Sequence, residues 1–420
     1  MAPDGFTEIT SESWTSRIGG AIKGIVVGIV LFVASFPLLF WNEGRAVSDR
    51  QSLAAGAAST VTADPAKVDP ANEGKPVYLT GRAETKESLS DEAFGIAVQA
   101  LRLVRTVEMF QWIEKKESTT EKKVGGGTET RTTYKYVKDW SEKEINPAEF
   151  KQPKDHVNPA RPFASLTKTA SQVTVGAFQL PADMTAKLSN YTPLPVTQSN
   201  LDKLPADVRG RARLTDKGLY ISISAAGPGA TPQPATGPEA ASLPAATAAG
   251  GPGETRVGDV RVTFKAVLPC EVSLVARQVG NSFAAYVPKP GGLAIEMISA
   301  GSKSAAQLYS EEQASRDLLT WVLRLVGFLA MGIGLALVCR PLSVVADVIP
   351  FVGNIVGGVS GFLSFLIALP LTLIVISIAW VFYRPMVGIP ILIVGVAGVV
   401  GAFVLKSKNA KAKRLAPAPP

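Results

Sequence analysis

The chain has 420 residues, 46% of them hydrophobic and 19% charged, with a formal net charge of +8, a balance that disfavours an ordinary soluble enzyme and points to a membrane. The excess charge is local: residues 48–317 hold 32 basic against 30 acidic side chains, whereas Lys406, Lys408, Lys411, Lys413 and Arg414 fall within nine residues, so no nucleic-acid-binding face is expected. One histidine, His156, and two cysteines, Cys270 and Cys339, cannot make a multi-histidine zinc site or a disulfide framework, and no cofactor or metal is expected.

Residues 1–23 read as a cytoplasmic tail carrying Arg17 and Lys23. The 18 residues 24–41 are free of charge, just enough as a helix to cross a hydrocarbon core of about 30 Å. WNEGRAV follows, without the small residues of a cleavage site, so the segment reads as an uncleaved anchor. In it Asn42, Glu43 and Arg45 are placed at the outer membrane surface, anchoring the helix end and touching the soluble region.

Residues 42–317 alternate with period two and read as a β-rich domain. In 101–112, Leu101, Leu103, Val107 and Met109 share one face, and Val104, Phe110 and Trp112 the other. Further strands are predicted at 76–81, 132–140, 172–179, 218–224, 260–267, 271–277 and 294–298. The polar, glycine-centred stretch 114–131 reads as a long mobile hairpin loop. Residues 225–255, rich in Ala, Pro and Gly, read as a disordered insert that interrupts one sheet between YISIS and VRVTF. A helix over 304–317 leads into the second span.

That span is placed at 318–339, with Arg324 snorkelling to the interface. The 36 charge-free residues 348–383 overshoot one crossing, and Pro350, Gly353, Gly357 and Gly358 weaken their first third. An interfacial or re-entrant segment is therefore predicted at 340–360, then spans at 361–383 and 386–405 separated by a turn at Arg384, and a basic tail at 406–420. The positive-inside rule puts both termini in the cytoplasm and the middle region outside it. The fold class is α+β: an integral membrane protein with one N-terminal and three C-terminal transmembrane helices flanking a large β-rich extracytoplasmic domain.

Small residues recur every fourth position at Gly20, Gly24 and Gly28 and at Gly353, Gly357 and Gly361, faces suited to close helix packing within the chain or between copies. Asn42, Glu43, Arg45, Arg324 and Arg384 are candidate interface or lipid contacts; Arg384 with Pro385 reads first as a turn that stops the third span, and as a lone Arg between two apolar runs it could also hold an anionic lipid. Arg324, Arg340 and Asp347 are too few for a charged conduction path. Glu108, Glu114 and Asp259 show no defined pairing for acid–base work. His156 reads as ordinary surface, and Asp259 as closing a turn after Gly258.

WNEGRAV, VEMFQW, the dipeptide Asp139–Trp140, HVNP at 156–159, VGDVRV at 257–262, ARQ at 276–278 and WVFYRP at 380–385 occur in the order of the transmembrane protein 43 family, also called LUMA, which the chain resembles over nearly its whole length. The resemblance singles out Glu108, Gln111, Trp112, His156, Asn158, Gly258, Asp259 and Arg261 as motif positions without an assigned role. It implies one N-terminal span, a large lumenal domain, three C-terminal spans and a self-associating membrane organiser. Animal members are described at the endoplasmic reticulum and inner nuclear membrane, binding emerin and lamins. The 225–255 insert is additional to the family pattern and suits a bacterial member with a periplasmic domain, for which only topology and self-association carry over. The expected partners are membrane lipids and further copies of the chain. The leading reading is a non-enzymatic scaffold; the alternatives are an ion channel or channel accessory subunit built from oligomerised C-terminal spans, and a membrane-tethered enzyme acting on lipid or envelope polymer.

Overall fold

The structure, a computed structural model, describes residues 5–222, 255–390 and 393. The insert apart from Thr255, most of the fourth span and the basic tail lie outside the described residues. Helix α1 (Trp14–Ser59) is followed by the short helices α2 (Ala182–Lys187), α3 (Gln198–Asp202) and α4 (Ala206–Arg209), then by α5 (Ala305–Ala346) and α6 (Pro350–Tyr383). Helices α1, α5 and α6 are long and apolar enough to cross a membrane.

The three long helices form a bundle around Leu39, Met331, Ala368 and Val375. Ala21, Gly28, Ser35, Asn42, Asp49 and Gly56, all buried in α1, repeat every seven residues, as do Thr320, Gly327 and Gly334 in α5. This is a coiled-coil seam built from small and polar side chains. Gly28 and Gly334 meet at its middle, where a Cβ on either would stand 2.7 Å from the carbonyl oxygen of the other. Helix α5 starts at a capping box, Ser304 with Gln307, and runs without a break into the bundle, as predicted for 304–317.

Only three residues separate α5 from α6. The distinct segment expected at 340–360 is instead shared between two continuous helices. Pro350 takes the first helical position, where its missing N–H is no loss. Helix α6, at 34 residues, is about 51 Å long, so it exceeds one perpendicular crossing by tilt or overhang.

Strands, numbered in chain order, form two main sheets. The first runs β1 (Gly5–Glu12), β7 (Thr128–Ser141), β6 (Arg102–Lys122), β14 (Val260–Val267), β13 (Gly218–Ile221), β12 (Ala212–Thr215), with β11 (Thr192–Leu194) on β14 and β8 (Leu166–Thr169) on β6. The second runs β10 (Phe178–Leu180), β9 (Val173–Val175), β3 (Pro76–Thr85), β15 (Cys270–Val279), β16 (Ser282–Ala284), with β17 (Met297–Ala300) on β15 and β2 (Val61–Thr62) on β3. A small hairpin, β4 (Ser88–Asp91) and β5 (Ile96–Gln99), completes the set. Strands β13 and β14 are antiparallel neighbours, so the insert does interrupt one sheet.

Leu103, Val107, Met109, Val262 and Phe264 of the first sheet share a core with Val77, Leu79, Val272 and Leu274 of the second. The second sheet turns its other face to the helices: Val275 packs with Leu53, Ile295, Leu308 and Tyr309. The β domain therefore sits directly on the C-terminal end of α1 and the N-terminal end of α5.

The stretch 114–131, expected as a mobile loop, is the outer part of a continuous ladder between β6 and β7, paired from Met109↔Ser141 to Lys122↔Thr128. Thr-rich cross-strand pairs such as Thr120–Thr130, hydroxyl to hydroxyl at 2.9 Å, suit a two-sided polar ribbon. From Met109 to Lys122 this arm extends about 43 Å. Its tip docks on the far end of the bundle. Gly125 N donates to Val348 O at 3.1 Å, Lys122 Nζ to Asp347 Oδ1 at 2.6 Å, and Arg17 reaches both Gly126 O and Asp347 Oδ2. Trp14 Nε1 donates to Val344 O at 2.8 Å. The tail expected at 1–23 contains β1, which pairs along the arm from Gly5↔Lys135 to Glu12↔Thr128. The exposed Lys115, Lys116, Glu117 and Glu121 make this arm unfit for hydrocarbon, so water or protein borders it.

Candidate functional site

The motifs at the two ends of the chain converge where the bundle meets the β domain. Glu43, wholly buried, accepts from Arg324 Nε at 2.6 Å and Nη2 at 2.8 Å, and from Trp380 Nε1 at 2.7 Å. WNEGRAV of α1 and WVFYRP of α6 are thus joined through one carboxylate, with α5 supplying the counter-charge. A buried carboxylate persists only when paired and hydrogen-bonded, and three donors on two other helices meet that need.

A second layer lies just outside. Asn42 Nδ2 donates to Thr320 O at 3.1 Å, and Arg45 donates to Asp49 Oδ2 at 2.8 Å, Asn42 Oδ1 at 3.1 Å and Thr320 Oγ1 at 3.1 Å. Arg50 pairs with Asp317 at 2.8 Å. Gly44 lets the Tyr383 ring close on α1: a Cβ there would lie 2.6 Å from Tyr383 Cζ. Phe40 contacts both Phe382 and Tyr383. An open cleft of about 420 Å³ lies beside this layer, lined by Trp41, Arg45, Ser48, Gly292 and Tyr383 among others.

The predicted surface positions are thereby revised. Helix α1 does not end at Asn42, Glu43 and Arg45 but continues to Ser59, and Arg324 does not snorkel outward but turns in to Glu43. Of the glycines, Gly28 packs on α5, Gly353 lies against Asp347 and Gly357 is in ordinary contact with Ser343, whereas among the described residues no atom lies within reach of a Cβ on Gly20, Gly24 or Gly361. Arg384 caps the C-terminus of α6, its N–H donating to Trp380 O at 2.7 Å.

The remaining motif positions gather in the first sheet, away from the bundle. Gln111 Nε2 donates to Lys143 O at 2.7 Å, and Asn158 Oδ1 accepts from Trp112 N at 2.7 Å. His156 is 1% exposed, against the surface reading. Its ring stacks on Tyr136 at 3.7 Å and meets Trp112 edge-on, because 152–158 folds back over the base of the arm. Gly258 takes φ +99° in a turn whose Asp259 N donates to Arg256 O at 2.9 Å, and Asp259 is wholly buried, accepting from Tyr220 Oη, Ser222 Oγ and Arg256 N. Burial, then the bond to Asp259, pushes the Tyr220 phenol up to about 12. Burial, then the bond to Glu114, does the same for Tyr136. Arg261 lies over Trp140 at 3.8 Å and pairs with Glu108 at 3.4 Å. These contacts brace the sheet.

Sequence reasoning missed Trp380, Thr320, Asp49 and Asp317 as node members and Asp347 as the anchor of the arm. The seven-residue repeat of Ser35, Asn42 and Asp49 is the signal that could have found the first layer: polar residues recurring on the buried stripe of a long helix.

A family model described as Transmembrane protein 43 matches residues 109–385. Proteins named Transmembrane protein 43 from Mus musculus and Homo sapiens are each 32% identical to the chain, over 395 and 390 residues, covering 90% of it and 90% and 88% of themselves. The Transmembrane protein 43 homolog of Drosophila melanogaster is 28% identical over 378 residues, covering 88% of the chain and 91% of itself. No solved structure matches.

Proposed function

The chain belongs to the transmembrane protein 43 family, and from that premise we propose that it is a non-enzymatic, self-associating scaffold that holds a β-rich platform in fixed orientation on a membrane. The observation that carries this reading is the continuity of α1 and α5 from the bundle into the domain. Both helices are pinned at the membrane boundary by Glu43, Arg324 and Trp380 and buried beyond it against the second sheet through Leu53 and Tyr309. A domain on a flexible tether can reach many partners; one clamped on two helices presents a single surface at a set height, which suits assembly.

Self-association draws support from the small-residue faces at Gly20, Gly24 and Gly361, which no other described residue covers. Single cysteines placed at Gly24 and at Gly361, in a chain whose Cys270 and Cys339 are replaced by serine, test it in native membranes. Homodimers trapped by a short thiol cross-linker at either position, and not at Val322 on the exposed face of α5, support the interface; no cross-linked dimer at any position rejects it. The basic C-terminal tail supports a cytoplasmic C-terminus with the β domain on the other side.

One observation favours a second reading, an ion-conducting assembly. The polar arm runs beside an apolar bundle and must be bordered by water or protein, and several copies arranged with their arms inward would supply a hydrated path. Ion flux in proteoliposomes that responds to reversing the charge of Glu117 and Glu121 supports this reading, and tight vesicles reject it.

A further inference from the structure

The charged layer at the domain end of the bundle is not balanced. It contains four arginines, Arg45, Arg50, Arg324 and Arg384, against three carboxylates, Glu43, Asp49 and Asp317. Each carboxylate is taken by one arginine, in the pairs Arg324–Glu43, Arg45–Asp49 and Arg50–Asp317. Arg384 is left over, half-buried and within electrostatic reach of Arg50, Glu43, Arg324 and Asp317. Among the described residues its guanidinium, with five N–H donors, meets no hydrogen-bond or ion-pair partner. Residues 391–420 hold no Asp or Glu that could supply one. The C-terminal carbonyls of α6 offer it partial negative charge, which orients a cation there and leaves it unneutralised.

The depth of Arg384 identifies the missing anion. Trp41, Trp321 and Phe382 project outward at the same level, and Trp380 and Tyr383 close the inner side. Such a girdle of amphipathic rings lies at the headgroup region of a bilayer, where the abundant anion is a phosphodiester. The cleft lined by Trp41, Arg45, Ser48, Gly292 and Tyr383 opens at this level, and Asp49 on its wall is already taken by Arg45. We propose that Arg384 binds the phosphate of an anionic glycerophospholipid of the leaflet facing the β domain, beside the cleft that its neighbour Tyr383 lines. A planar guanidinium matches two phosphate oxygens at once. A lipid with a net negative charge neutralises the layer, whereas a zwitterionic one returns its positive charge to the site, so phosphatidylglycerol is favoured over phosphatidylcholine. This inference is independent of whether copies associate.

The test uses the full chain in nanodiscs of phosphatidylcholine doped with phosphatidylglycerol, with lipids retained after delipidation counted by native mass spectrometry. The wild type is expected to keep one phosphatidylglycerol per protomer. Arg384→Gln is expected to bind it roughly tenfold more weakly, the loss of a charge-assisted bond, while Lys67→Gln on the exposed surface leaves retention unchanged. Arg384→Lys keeps the charge without the fork and is read alongside: it should hold phosphatidylglycerol several-fold more weakly than wild type and still prefer it to phosphatidylcholine. Equal retention in wild type, Arg384→Gln and Arg384→Lys overturns the proposal. So does stabilisation of the detergent-solubilised wild type by inorganic phosphate equal to that by phosphatidylglycerol, since the site would then take a free anion.

Discussion

Glu43 and Arg324 stand 281 positions apart in the chain and meet through two parallel hydrogen bonds, at 2.6 and 2.8 Å, with the carboxylate wholly removed from solvent. The pair fixes the height of α1 against α5, because a slip of one turn displaces the partners by about 5.4 Å. Trp380 adds α6 to the same register.

Arg324→Ala leaves Glu43 buried without its counter-charge, and removing one partner of a buried pair costs about 3–5 kcal/mol. Thermal unfolding in nanodiscs should show a large loss of stability for Arg324→Ala and a smaller one for Glu43→Gln, whose amide oxygen still accepts from Trp380. Wild-type melting in Arg324→Ala would show that the pair does not hold the bundle.

Gly28→Leu inserts a side chain where the backbones of α1 and α5 approach to within a Cβ diameter. Overpacking of this kind costs about 1–3 kcal/mol or forces the helices apart. Gly24→Leu, at a site with no other described residue nearby, should leave the stability of the single chain unchanged. Comparing the two by thermal unfolding separates packing within the chain from packing between copies; equal destabilisation contradicts the assignment.

The pairing of β1 with the arm places Thr10 opposite Thr130. Cysteines at both positions should form an intrachain disulfide under mild oxidation in native membranes, detected by peptide mass spectrometry. Thr10→Cys combined with Lys138→Cys, out of register, should not. No bond in either pair would mean that residues 5–12 are not held on the arm in the membrane.

Tyr136 and Tyr220 have phenols raised to about 12 from an ordinary value of 10.0. Both prefer the neutral form when folded, so their contribution to stability is complete below pH 10 and is lost as the pH climbs toward about 12. Phenolate absorbance should show them titrating after the ordinary tyrosines, and Tyr136→Phe should remove part of that late amplitude. A single titration of all tyrosines near 10 contradicts their burial.

Where an element's pattern is local, it was legible. The alternation of Leu103, Val107 and Met109 marked β6, and the stretch 304–317 marked the start of α5. The helix content of 350–360 was obscured because Pro350 and three glycines count against a helix by propensity, although proline is welcome at a first turn and Gly353 sits where α6 passes close to Asp347. The arm was obscured because its threonines and charges bury little, and its order comes from cross-strand pairing and from docking at Asp347, 225 residues beyond Lys122. Glu43 and Arg324 read as span flanks because hydropathy scores each segment alone, whereas their role exists only once α1, α5 and α6 stand side by side. Arg384 was recognised as a candidate lipid contact from its place between apolar runs; its surplus charge became visible only when the other arginines had found partners.

The most direct test of the scaffold reading is the mass of the intact protein extracted with its own lipids into polymer nanodiscs, without detergent. The account predicts one defined homo-oligomer, reduced toward a monomer when Gly20, Gly24 and Gly361 are replaced by leucine. A monomer for the wild type, with no protein accompanying it, would contradict self-association and with it the scaffold.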